Sequence, residues 1–349
     1  MSIKGSKIVV VGGAGFVGAN LVRHLVDAGA SQVIAIDNLL SAEKENVIQV
    51  PQVELRIGSI SEDSVLSTLE DDIDYIFHLS TFHGNQSSIA NPLVDHENNT
   101  LTTLKLLEHV KNFKKLKKLV YSSAGCSVAQ KTFDTASATQ EVEMTNIKHD
   151  SPYSISKIVG EFYCVYYYHQ HQVPTVRARF QNVYGPGEVL GAGRWRGTPA
   201  TVWRNVTPTF VFKALKGIPI SLENGGIASR DFIYVDDICR GLIACALRGD
   251  AGETYNIASG VETTIKDLAE KILKLTGSHS AFEQLPKRSW DNSGKRFGST
   301  SKSEEKLGFK AEVDLDSGLT QTIEWTKLNL PFIEKNMIKH KCHFNGEIF

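Results

Sequence analysis

The stretch Ile8-Val-Val-Val-Gly-Gly-Ala-Gly-Phe-Val-Gly18 decides how this chain folds. A β-branched apolar run that ends in glycines reads as a buried strand turning sharply into a helix. Gly13, Gly15 and Gly18 satisfy the spacing G-x-G-x-x-G, and Gly12, Gly15 and Gly18 satisfy the wider G-x-x-G-x-x-G. In either frame the first glycine lets the chain turn and the second lets backbone amides approach a pyrophosphate. Gly18 lets the helix lie close on the strand, so that its positive N-terminal end faces the phosphates. A helical run with apolar Val17, Leu21, Val22, Leu25 and Val26 follows, Gly29 ends it, and a second strand from Val33 to Ile36 delivers Asp37. A carboxylate there accepts hydrogen bonds from an adenosine ribose diol and repels a 2′-phosphate, so the pattern predicts NAD rather than NADP.

The 349 residues accommodate two domains, or one large nucleotide-binding domain with a smaller appendage. A formal net charge of −1 with mixed signs leaves no basic footprint for nucleic acid. No apolar run reaches membrane-spanning length, and the N-terminus enters the first strand without an apolar signal region; a soluble, cytoplasmic protein is expected. The five cysteines, Cys126, Cys164, Cys239, Cys245 and Cys342, are odd in number and lack CxxC spacing. That suits a reducing compartment and argues against a zinc site. His169 and His171 flank one residue of an expected helix and point apart, so no metal site is expected.

Strand and helix signals alternate through the first half. Strands are expected at Val53 to Ile57, Asp74 to Leu79, Leu119 to Ser123 and Thr175 to Phe180, with helices at Asn98 to Lys111 and Ser151 to His171. The alternation predicts an α/β fold: a Rossmann-type, doubly wound, mostly parallel sheet with a smaller, intertwined C-terminal substrate domain. Residues 1–184 form the NAD-binding domain, 225–260 return to it in part, 185–335 mainly bind substrate and 336–349 are a tail. The helix Ser151 to His171 is apolar or aromatic nearly all round, which points to a subunit interface and a homodimer. From Gly185 to Pro199 the chain is too rich in Gly and Pro for a regular element, and loops this long are usually functional or disordered. Beyond it, helices fit Val206 to Lys216, Thr264 to Leu275 and Asp316 to Asn329, and strands fit Ile220 to Leu222 and Asp231 to Val235. Asp236 and Asp237 are expected to cap a helix running to about Leu247.

Tyr153-Ser-Ile-Ser-Lys157 places a phenol and an ammonium on one helical face, where the cation favours the phenolate. Such a phenolate takes a proton from a sugar hydroxyl while hydride leaves for a nicotinamide. Several motifs stand in order with it: Gly12 to Gly18, Asp37, Asn99-Thr-Leu-Thr-Thr, Ser122-Ser123, Asn182-Val-Tyr-Gly-Pro and Arg230-Asp-Phe-Ile-Tyr-Val-Asp-Asp237. Together they resemble the extended short-chain dehydrogenases, specifically the NAD-dependent nucleotide-sugar epimerase/dehydratase family, over residues 7 to 330. Thr81-Phe-His-Gly-Asn-Gln-Ser-Ser and Gly191-Ala-Gly-Arg-Trp-Arg-Gly-Thr-Pro resemble most the members encoded in bacterial O-antigen clusters, which implies a role in lipopolysaccharide synthesis.

The resemblance implies an NAD site built from Gly12, Gly15, Phe16, Val17, Gly18, Asp37, Asn38, Ser59, Ile60, Leu79, Ser80, Thr81, Asn99 and Ser122, with Tyr153 and Lys157. Ser123 would hydrogen-bond the reacting hydroxyl, Tyr153 would be the base and Lys157 would orient the cofactor ribose. Asn182, Arg230 and Arg288 match positions that grip the diphosphate and nucleoside, as amide and arginine donors suit. His83, Ser88, Arg194 and Arg196 are candidates for the sugar end; for the two loop arginines a carboxylated sugar and a solvated loop are equal readings. The sequence departs from the family at Ala124, Gly125 and Cys126, where 4,6-dehydratases continue from the serine or threonine with an Asp-Glu pair. Without that pair 4,6-dehydration is disfavoured. Cys126 resembles the acid/base cysteine of GDP-mannose 3,5-epimerases, though a buried packing cysteine is the commoner case. Ser59 stands where many relatives place an Asp against adenine.

The function expected is NAD-dependent epimerisation of a nucleoside-diphosphate sugar through a transient keto intermediate. A uronate decarboxylase or a dehydratase is the enzymatic alternative. A non-catalytic NAD-binding redox sensor is the alternative of another class, and it has no need of Tyr153 with Lys157.

Overall fold

A computed structural model describes residues 2–129, 132–141, 148–291 and 294–344. The β-branched run forms the strand Lys7–Val11, buried from Ile8 onward. It is an interior strand, next to the central one, of a seven-stranded sheet whose spatial order is Thr254–Ile257, Thr175–Phe180, Lys118–Ala124, Tyr75–His78, Lys7–Val11, Gln32–Asp37 and Val53–Ile57. Every neighbouring pair is parallel. The order reverses beside Lys7–Val11, and ligands in such sheets bind beyond the carboxyl ends of the strands at that switch point.

Apolar side chains on both sheet faces call for cover on both sides. One core packs the helices Phe16–Asp27 and Val235–Arg248 on the sheet, and the other packs Thr102–Val110 and Pro152–His171. The close fit of the first helix has a steric cause: a Cβ on Gly18 would lie 2.0 Å from the Gly12 carbonyl oxygen. Gly12 itself has φ +84°, a left-handed turn that favours glycine.

The second half builds a three-stranded sheet, Glu262–Thr264, Ser229–Tyr234 and Asn182–Tyr184, and pairs Phe282–Leu285 with Ile220–Glu223. The helices Val206–Lys216, Ile265–Thr276 and Leu315–Ile338 enclose a further apolar cluster against it.

Three expectations are corrected. The helix Val235–Arg248 is entered directly from its strand with Tyr234 as N-cap, so Asp236 and Asp237 lie in its first turn and cap nothing. They make tertiary ties instead. Asp237 accepts from the Glu312 and Val313 amides, at 3.1 and 3.0 Å, and Asp236 meets His24 Nε2 at 3.0 Å. The helical run expected from Asn98 begins at Pro92 and contains a wider π-turn, His96–Leu101, before Thr102–Val110. The last helix extends through Pro331 to Ile338, so the tail is in part helical; residues 345–349 lie outside the described residues.

The Gly- and Pro-rich loop has no regular element beyond the short turn Pro199–Thr201, yet Val189, Leu190, Ala192, Arg196 and Val202 are buried. Its backbone is tied to neighbours: the Gly193 amide donates to Glu43 at 2.8 Å and the Arg194 amide to the Leu40 carbonyl at 3.0 Å. From the C-terminal end, His340 Nε2 meets the Gly191 carbonyl at 2.9 Å, and His343 stacks on Trp195 at 4.0 Å between centroids.

Candidate active site

A cavity of about 700 Å³ opens beyond the carboxyl ends of the central strands and continues under the second half of the chain. One end is lined by Gly12, Gly15, Phe16, Val17 and Gly18, by Asp37, Asn38, Ser59 and Ile60, and by Leu79, Ser80, Thr81 and Ser122. These residues fit a dinucleotide. A Cβ on Gly12 would lie 2.7 Å from the Ser80 amide nitrogen, and the N-terminus of Phe16–Asp27 opens onto the space that glycine leaves. Asp37 accepts from the Ala14 and Leu39 amides at 3.0 and 2.9 Å, which fixes the turn while the side chain still lines the cavity. Burial pushes its carboxyl up, and those amides pull it back.

Tyr153 and Lys157 line the cavity from the helix Pro152–His171, whose first turn is capped by Ser151 accepting from the Ser154 amide. Lys157 Nζ donates to the Ser122 carbonyl at 2.9 Å and lies 5.3 Å from the Tyr121 ring centroid. Burial pushes its pKa down to about 8, with Asp95 pulling upward. The Tyr153 phenol is pushed up by burial first and then by Cys126 and Asp95, while Arg296 opposes them. This reverses the expected lowering by Lys157: the phenol loses its water, and the ammonium is engaged by a carbonyl. Ser123 Oγ donates to Glu161 at 2.5 Å, and Glu161 in turn holds Arg179 through two 2.8 Å bonds. Cys126 is half-buried and also lines the cavity.

Asn99 and Ser88 do not line it. Asn99 accepts from the Phe82 amide and the Thr81 hydroxyl at 2.6 and 3.0 Å and donates to Asp95 at 2.7 Å, so it shapes the wall from behind. Ser88 Oγ accepts from the Tyr153 amide at 3.1 Å, which positions the helix start.

At the far end Asn182, Arg230 and Arg288 line the cavity, with Lys213, Lys287 and Arg296 nearby. Arg230 donates to the carbonyls of Ser229 and Gly294, both at 2.6 Å, and burial pushes its pKa down to about 9. Asp231 is engaged elsewhere, accepting from Ser259, Gly260 and Gly298. Arg288 pairs with Glu223 and lies 5.6 Å from the Trp290 ring.

His83 lines the middle of the cavity, but Arg194 and Arg196 do not. Arg194 is an exposed loop residue, 3.4 Å from the Asn38 carbonyl. Arg196 is buried and donates to the carbonyls of His83 and Ala200, a structural brace whose pKa burial pushes down to about 9. Their place is taken by Glu188, Trp203, Arg204 and Asn205, which the sequence reading missed. The signal was the adjacent Trp-Arg-Asn run, but nothing local distinguishes it from Arg-Trp-Arg. Arg204 is half-buried and donates to the Ser41 carbonyl at 2.8 Å; desolvation pushes its pKa down, and Glu188 and Asp37 pull it back.

The glycine cradle, the Tyr153/Lys157 pair and a cavity shared with the second half meet in one known pattern, described as the NAD dependent epimerase/dehydratase family, which matches residues 8–258. The chain belongs to this family. It is similar to the Bordetella bronchiseptica enzyme WbmF, solved in complex with NAD+ and UDP: 60% identity, 98% of each chain covered, TM-score 0.89. It is also similar to the epimerase Mth375 of Methanothermobacter thermautotrophicus, with 35% identity, 95% of each chain covered and TM-score 0.87. A putative UDP-glucose 4-epimerase of Methanocaldococcus jannaschii is 28% identical over 92% of this chain and 99% of its own length. The protein is thus an enzyme of nucleotide-sugar epimerase/dehydratase type, and NAD is its cofactor. Among the described residues no helix is long and apolar enough to cross a membrane.

Proposed function

We propose that the protein epimerises a nucleoside-diphosphate sugar through a transient keto intermediate. The observation that carries this reading is one continuous cavity that joins the dinucleotide cradle to Asn182, Arg230 and Arg288, with Tyr153 between them. NAD, when bound, takes hydride from the sugar and returns it. Tyr153 removes the hydroxyl proton during oxidation and restores it on return. Lys157 orients the cofactor ribose and supplies positive charge beside the phenol, and Ser123 fixes the reacting hydroxyl. Asn182, Arg230 and Arg288 hold the diphosphate and nucleoside, for which uridine diphosphate, present in the WbmF complex, is the first candidate. Residues 185–335 serve mainly to bind the sugar nucleotide.

Epimerisation is favoured over 4,6-dehydration because Ala124 and Gly125 follow Ser123 where an acid pair would be needed. The enzyme works in the cytoplasm as a homodimer and serves synthesis of a bacterial surface polysaccharide, as its resemblance to O-antigen-cluster enzymes implies.

Incubation with UDP-, GDP- and dTDP-sugars, uronates included, followed by NMR should show one substrate interconverted with its epimer and no net consumption of NADH. With Tyr153→Phe, turnover should fall by about 10²–10⁴-fold while the sugar nucleotide still binds. Normal turnover by that variant would rule out the base assignment, and carbon dioxide release would turn the reading to decarboxylation.

A further inference from the structure

Glu188, Asn205 and His83 meet in the wall of the cavity from separate loop segments. Glu188 is 4% exposed; one carboxyl oxygen accepts from Asn205 Nδ2, and the other has no hydrogen-bond partner among the described residues. Asn205 Oδ1 lies 3.1 Å from His83 Nε2. An amide oxygen only accepts, so Nε2 carries the ring proton. Burial, then Arg204 and Arg196, push the His83 pKa down to about 4, with the Asn205 bond opposing and Lys157 adding to the lowering. The ring is therefore neutral at physiological pH, and its Nδ1 is a bare acceptor. The His83 ring meets the Tyr153 ring edge-on with centroids 6.0 Å apart.

We propose that His83 recognises the sugar as a hydrogen-bond acceptor, in a tautomer that Glu188 sets by orienting the Asn205 amide. The proposal rests on the nucleotide-sugar reading above: Nδ1 takes the proton of a sugar hydroxyl near the carbon that Tyr153 serves. The orientation follows from donor counting. An ionised Glu188 only accepts, so it draws Asn205 Nδ2 and leaves Oδ1 for His83. A protonated Glu188 gains an O–H donor and no longer holds Nδ2 by charge, which frees the amide to turn: with that O–H on Oδ1, Nδ2 donates to Nε2 and the ring proton moves to Nδ1. Burial pushes Glu188 up to about 7, while the facing Arg204 and the Asn205 bond pull it down. Above that pH His83 accepts towards the sugar, and below it His83 donates.

The test is nitrogen-15 NMR of the histidine-labelled, NAD-loaded enzyme without sugar, with His83 assigned by comparison with His83→Gln. Wild type at pH 8 should show Nε2 protonated and Nδ1 bare, and should exchange to the other tautomer as pH falls below 7. Asn205→Asp shares one proton with Glu188 and keeps its other oxygen on Nε2, so it should hold the first tautomer as pH falls from 8 to 6. Glu188→Leu should lose the pH dependence and mix the tautomers. A bare Nε2 in wild type at pH 8, or a pH response that survives Glu188→Leu, overturns the proposal. If Glu188→Leu does not fold, the wild-type titration and Asn205→Asp still decide it. No substrate enters this measurement, so its failure is distinct from failure of the sugar panel. With a substrate from that panel, Asn205→Leu should raise KM about five- to tenfold, the loss of roughly one hydrogen bond; an unchanged KM removes the sugar from the proposal.

Discussion

Cys126 follows the strand Lys118–Ala124 and lines the cavity beyond its carboxyl end, on the same wall as Ser123. A thiol placed there can exchange a proton with a sugar carbon once the neighbouring carbonyl has acidified its C–H bond. In heavy water the wild type should therefore incorporate deuterium beside the keto carbon, and Cys126→Ala should lose most of that incorporation, both read by NMR. Equal exchange in the two would leave Cys126 as packing. Tyr153 and Lys157 were legible because four positions on one helix need no tertiary information. Arg204 was not legible: it is half-exposed and lines the cavity, while Arg196, equally basic in sequence, is buried away from it with its guanidinium on the His83 and Ala200 carbonyls.

The helix Pro152–His171 serves three neighbours at once, which explains its nearly uniform apolar surface. The inner side presents Tyr153, Lys157 and, one turn further on, Glu161, which meets Arg179, the last two both buried. Glu161→Leu would leave Arg179 uncompensated in the interior and should cost about 3–5 kcal/mol in urea unfolding. Arg179→Leu with Glu161→Leu should recover much of that, since the pair is replaced by apolar groups. The outer side exposes Ile155, Phe162 and Tyr166 at 49, 56 and 52%, and the adjoining helix Pro92–Asp95 exposes Leu93 at 77%. An apolar stripe of this kind favours the proposed homodimer, a second copy covering the first. Wild type should scatter light as a dimer at micromolar concentration, and Phe162→Asp should shift it towards monomer while the far-ultraviolet circular dichroism is kept.

Across the fold, the C-terminal segment packs against the 191–197 loop. Lys339 pairs with Glu43, His340 meets the Gly191 carbonyl and His343 stacks on Trp195, and the same loop reaches the cavity lining where the Arg194 amide donates to the Leu40 carbonyl. Removing residues 339–349 should therefore raise KM for the sugar nucleotide several-fold by freeing the 191–197 loop, with bound NAD unchanged by extraction. The glycine run, Asp37, the strand alternation and the Tyr-Lys spacing determined by themselves the parallel sheet, the NAD cofactor and the presence of Tyr153 and Lys157 in the cavity wall. Each of these rests on neighbours in the chain, where turn sterics and periodicity act. The tertiary structure alone decided which loop arginine faces the cavity, that Asn99 and Ser88 stand behind its wall, and that burial raises rather than lowers the Tyr153 phenol. Those outcomes depend on which groups exclude water from one another across the fold, and a linear spacing carries no measure of that.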